Sequence, residues 1–123
     1  HVLSTNINSA RRMASTTQTF GGGIIASEVE ETLARISSHK GVEGVLILNR
    51  QGATIQSTLS PEQTATHAAL ISQLTMKASS IVETLDMNDE LTFLRVRSRS
   101  REIMVSPDKE YLLVVIQNPH VSE

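Results

Sequence analysis

The sequence predicts a mixed α/β (α+β) domain: a five-stranded antiparallel sheet in the order 2-1-5-4-3, with helices on both faces. Three observations predict it. Residues 45–48 and 112–116 are apolar without alternation, the mark of central strands covered on both faces. Residues 53–59 and 91–98 alternate apolar with polar, as edge strands do. Every strand-to-strand link but one is a short turn, which pairs neighbours antiparallel; the exception is a long helical segment between the second and third strands.

The 123 residues suffice for one domain with a core of its own. Residues 1–26 are rich in Ser, Thr and Asn, contain Gly21-Gly22-Gly23, and hold no sustained period, so a disordered N-terminal extension is expected there. Met13 offers a start, which would make residues 1–12 upstream sequence. The domain is expected over residues 27–119, with 120–123 a short tail.

Ser27 and Glu30 have capping-box spacing, and Glu28, Glu30 and Glu31 suit the positive end of a helix dipole. The first helix should therefore start at Ser27, carry Val29, Leu33 and Ile36 on one stripe, and stop before Gly41, a residue that accepts a left-handed backbone. The first strand spans 42–49. Asn49-Arg50-Gln51-Gly52 is a turn, and the second strand alternates over 53–59.

Ser60-Pro61-Glu62-Gln63 begins a second helix, with Ser60 as cap and Pro61 at the first position. It runs to Leu85, roughly 37 Å at 1.5 Å per residue. The third strand spans 91–98, the fourth 102–106, and the fifth 110–117. Ser106-Pro107-Asp108-Lys109 is read as a type I turn.

Two features are unexplained by a lone copy. The third strand would be a long edge bearing Leu91, Thr92, Phe93, Leu94, Arg95, Val96 and Arg97, with no proline to blunt it. On the second helix, His67, Leu70, Ile71, Leu74, Ala78, Ile81 and Leu85 form the stripe expected to cover the sheet. The other side holds Ala65, Ala69, Ser72, Met76, Ser79 and Glu83, spaced 4, 3, 4, 3, 4 and poor in charge. Either that side is an uncharged surface or a second helix lies on it. Pairing of two copies about a two-fold axis through both features would give a dimer with a continuous ten-stranded sheet.

Recognisable catalytic chemistry is missing from the sequence. Without cysteine there are no disulfides and no thiolate sites, which fits a reducing, intracellular setting. None of His1, His39, His67 and His120 has a second ligand at i+3 or i+4, so no metal is expected. Gly21-Gly22-Gly23 lacks the Lys-Ser/Thr of a phosphate loop, and no Gly-x-Ser-x-Gly elbow occurs, so no cofactor and no enzyme activity are expected. Asp86, Asp89 and Glu90 read as a solvated loop. The net charge of −2 and only three aromatic residues argue against a nucleic-acid partner, and no apolar run approaches a membrane span. Arg95, Arg97, Arg99 and Arg101 alternate along the third strand and its turn. They suit either a solvated hairpin or a docking patch for an acidic protein segment.

Several stretches resemble the roadblock family of dynein light chains: Glu28-Val29-Glu30-Glu31-Thr32-Leu33, Gly41-Val42-Glu43-Gly44, Leu91-Thr92-Phe93-Leu94-Arg95-Val96-Arg97-Ser98, Glu102-Ile103-Met104-Val105, Pro107-Asp108-Lys109 and Ile116-Gln117-Asn118-Pro119. The resemblance covers residues 28–119. It implies a roadblock/profilin-like fold and a homodimer. It further implies a non-catalytic accessory light chain that binds the dynein intermediate chain in the cytoplasm, on the cytoskeleton, or in the ciliary axoneme. Other branches of the wider roadblock group regulate a small GTPase on similar dimers, which is the alternative function. The extension before Ser27 departs from the short members of the family.

Overall fold

The computed structural model describes residues 22–120, with side chains from residue 30 onward. They form α1 (Gly22–Ser37), β1 (Val42–Asn49), β2 (Thr54–Ser57), α2 (Pro61–Leu85), β3 (Leu94–Arg97), β4 (Glu102–Pro107) and β5 (Tyr111–Gln117). All pairings are antiparallel, in the order β2-β1-β5-β4-β3, as the strand patterns predict.

The sheet separates two cores. Leu33 and Ile36 of α1 pack on Val45, Ile47, Met104 and Val115 on one face. Ala68 and Ile71 of α2 pack on Leu46, Leu48, Val105 and Val114 on the other. Central strands β1 and β5 feed both, which explains their lack of alternation.

α2 has the expected bounds. Ser60 Oγ accepts from the Gln63 backbone N–H at 3.3 Å, and Pro61 occupies the first turn, where no N–H is needed. At its end the Asp86 N–H bonds the Val82 carbonyl, and the Asp86 carboxylate accepts from the Asn88 N–H. The β1–β2 turn is as read: Asn49 Oδ1 accepts from the N–H of Gln51 and of Ala53, and Gly52 adopts φ +93°. The predicted left-handed glycine is Gly41, at φ +91°.

Four expectations change. α1 begins at Gly22, so Ser27 lies inside it and does not cap it. The i, i+4 spacing continues upstream in sequence through Ile25, which outweighs the capping-box signal. Residues 22–26 are therefore helix, whereas the remainder of the expected extension lies outside the described residues. β3 is only four residues long, and Leu91, Thr92 and Phe93 approach it as irregular chain. β2 likewise shrinks to Thr54–Ser57. Finally, β4 extends to Pro107 and the turn moves to 108–111, closed by the Asp108 N–H on the Tyr111 carbonyl. β3 stops at Leu94 opposite Val105, so Pro107 has no outer neighbour that needs an N–H.

Candidate protein-binding surfaces

α2 departs most from its reading. Ala68, Ile71, Ser72 and Thr75 are the buried residues that face the sheet. The stripe expected to do so is largely outside: Leu70 is 62% exposed, Leu74 42%, Ile81 55% and Leu85 81%. The small side chains let the helix lie close to the strands. The leucines point away on a flank about a third of a turn round the helix axis. Beyond Thr75 no α2 residue is buried, so the last ten residues overhang the sheet.

The other side is open as the sequence suggests except at Ser72. Ser72 is buried and sits against Gly52, where an added Cβ would lie 2.8 Å from Ser72 Oγ. Ser72 is therefore corrected as an interface residue: this chain already covers it. Ala65, Ala69, Met76 and Glu83 are exposed and Ser79 is half-buried. Met76, Ser79 and Glu83 border a cleft of about 270 Å³ beneath the overhang, closed by Arg50 from the β1–β2 turn and Leu112 of β5. Because the Ser72 side meets the β1–β2 turn, the leucine flank faces away from β2.

β3 forms one edge of the sheet, with β4 as its only partner strand among the described residues. Phe93 packs on the α1-side core and Leu94 on the α2-side core. Val96 falls on the α2 side with Leu94 and is 38% exposed. Arg95 and Arg97 take the α1 side, as their alternation predicts. Leu91 is half-buried and Thr92 exposed.

The four arginines do not act as one stripe. Arg95 Nε donates to Glu102 Oε2 at 2.7 Å, with Arg95 half-exposed and Glu102 only 1% exposed. Gln117 Nε2 donates to the other carboxylate oxygen of Glu102. Glu102 faces Arg97 across the β3–β4 ladder and Gln117 across β4–β5, so Arg95 reaches it diagonally. The Arg95 hydrogen bond holds the Glu102 carboxyl below the ordinary carboxylate range against the opposing effect of burial, helped by Gln117 and Arg97. The same bond raises the Arg95 guanidinium above its usual value. Arg101 lies 3.6 Å from Glu43 in an exposed pair of little energetic weight. The Arg99 carbonyl, rather than its side chain, is engaged, by a ring nitrogen of His120.

Sequence reasoning missed Glu102. Its signal was present: a glutamate opening a short strand, directly after a run of alternating arginines. A buried carboxylate needs a partner, and they supply one.

No helix among the described residues is long and apolar enough to cross a membrane. Among them no group of three His, Cys, Asp or Glu could hold a metal ion.

Known proteins agree with this architecture. The chain is similar in fold to a Roadblock/LC7 domain from Streptomyces avermitilis, at 18% identity and a TM-score of 0.66, over 75% of this chain and 77% of that one. It is similar to MglB of Myxococcus xanthus, at 17% identity and a TM-score of 0.57, over 66% and 68% of the two chains. It is similar also to the gliding protein MglB of Thermus thermophilus, at 16% identity and a TM-score of 0.61, over 79% and 73%. At these identities the likeness speaks for the fold alone. The family model of the Roadblock/LC7 domain matches residues 28–118, nearly the whole of the described sheet-and-helix unit, and the chain belongs to the Roadblock/LC7 family.

Proposed function

We propose that this chain is a non-catalytic, self-associating scaffold that regulates a small GTPase. The observation that carries self-association is the pair of uncovered features: the outer edge of β3 and the leucine flank of α2. An apolar helix flank in water is the usual mark of a partner, and an unpaired edge strand offers N–H and C=O groups to another chain. A second copy would join edge to edge at β3 and flank to flank at α2, extending the sheet to ten strands. One solved MglB relative is described in a tetrameric arrangement, which supports self-association. Because β3 is short, the edge contributes few hydrogen bonds, each about 0.5–1.5 kcal/mol net. The helix flank then carries most of the association.

The GTPase reading is supported by family membership, by the likeness to MglB gliding proteins, and by the wider roadblock group's GTPase-regulating branches. The test is single-turnover GTP hydrolysis and nucleotide release by a small GTPase from the same cell, with and without the full chain. A stable complex with a several-fold change in either rate is expected. No complex and unchanged rates would overturn the reading.

A dynein light chain is the second reading, favoured by the matched stretches over residues 28–119. Its test is capture of a dynein intermediate-chain peptide by the purified chain at low and moderate salt. Failure at both would remove it.

A further inference from the structure

We propose that the cleft beneath the overhanging half of α2 is a second docking site, for a short extended peptide carrying one acidic and one basic side chain. It lies on the opposite flank of α2 from the leucines, so it does not depend on how copies of the chain associate.

The cleft is built from three elements. The β1–β2 turn supplies Arg50, α2 supplies Thr75, Ser79, Ser80 and Glu83, and β5 supplies Leu112. The turn is pinned in place by the Asn49 side chain and by the fit of Gly52 on Ser72. Arg50 is exposed, and no ion pair joins it to Glu83, although both line the same cleft. Two unmatched charges of opposite sign in one concavity suit a dipolar occupant better than a simple anion or cation.

Hydroxyl chemistry points the same way. Thr75 is 2% exposed, and its Oγ1 is buried without a hydrogen-bond partner. Buried hydroxyls are normally satisfied, and this one belongs to a residue in the cleft wall. The volume, about 270 Å³, falls below the roughly 300–1,000 Å³ of sites for whole drug-sized ligands. It encloses a residue or two of extended chain, with the charged side chains of the peptide at the open rim beside Arg50 and Glu83.

The probe is the blocked peptide acetyl-Asp-Gly-Gly-Lys-amide, titrated into the full chain and followed by backbone amide NMR shifts. Saturable shifts are expected at Arg50, Thr75 and Ser79. Arg50→Ala and Glu83→Ala, both exposed changes, should each weaken binding at least about five-fold. Leu70→Glu, on the other flank, should leave binding unchanged. The uncharged analogue acetyl-Asn-Gly-Gly-Gln-amide should not saturate. Absence of saturable shifts at millimolar peptide, equal binding of the uncharged analogue, or indifference to Arg50→Ala would each overturn the proposal.

Discussion

Replacing Arg95 by Leu tests the ion pair that holds the buried Glu102 carboxylate. Glu102 is 1% exposed and depends on Arg95 for its charge-assisted hydrogen bond. Without Arg95 the carboxylate keeps only Gln117 and the through-space attraction of Arg97. Breaking a buried pair costs about 3–5 kcal/mol. Arg95 is 48% exposed, and water screens that half of the pair, so about 1–3 kcal/mol is the better expectation at pH 7. For a domain of this size that lowers Tm by roughly 5–20 °C. The pH dependence is more diagnostic than the magnitude. Glu102 has a folded-state pKa below its unfolded value, so its contribution is complete above the ordinary carboxylate pKa. That contribution fades as pH falls through the folded value. Arg95→Leu removes the largest cause of the lowering, so the gap between wild type and variant should narrow as pH falls from 7 to about 3. Urea denaturation of both proteins at four or five pH values reads this directly. A pH-independent gap, or a variant as stable as wild type, would show that Arg95 does not hold the Glu102 charge.

Other perturbations probe the turn, the cap and the flank. Gly52→Ala forces an L side chain to φ +93° and pushes its Cβ onto Ser72, so it should cost about 1–3 kcal/mol in urea denaturation. Ser60→Ala removes the acceptor for the Gln63 N–H and should cost about 1 kcal/mol, whereas Ser60→Asp should restore most of it. Leu70→Glu should weaken self-association. Fully burying a leucine gives about 1.5–3 kcal/mol, so covering the exposed 62% gives about 1–2 per copy and 2–4 per pair. Sedimentation should show a Kd raised about 30- to 700-fold with an unchanged monomer Tm.

The strand order was legible because burial on both faces leaves an unmistakable run of apolar residues, as in Val45–Leu46–Ile47–Leu48 and 112–116. The start of α2 was legible because capping is local: Ser60 and Pro61 act within a few residues of themselves. Which flank of α2 covers the sheet was not legible. That choice depends on how close the helix can approach, and Ala68, Ser72 and Thr75 allow an approach that the leucines would prevent. The rule that larger apolar residues face inward then misassigns the stripe, since the leucines are left for another surface. The Arg95–Glu102–Gln117 cluster joins three strands, and nothing local reveals it. The start of α1 was misread because a capping-box motif also occurs inside helices, where the backbone donors it would satisfy are already bonded.

Hydrogen exchange at the outward-facing amides of residues 94–97, followed as the protein is concentrated from nanomolar to hundreds of micromolar, reads whether a second copy covers the β3 edge. If a second copy covers the β3 edge, these amides gain protection together with a rise in sedimentation coefficient, and Leu70→Glu shifts both to higher concentration. Fast exchange at every concentration, or full protection in a molecule that sediments as a single chain, would contradict it.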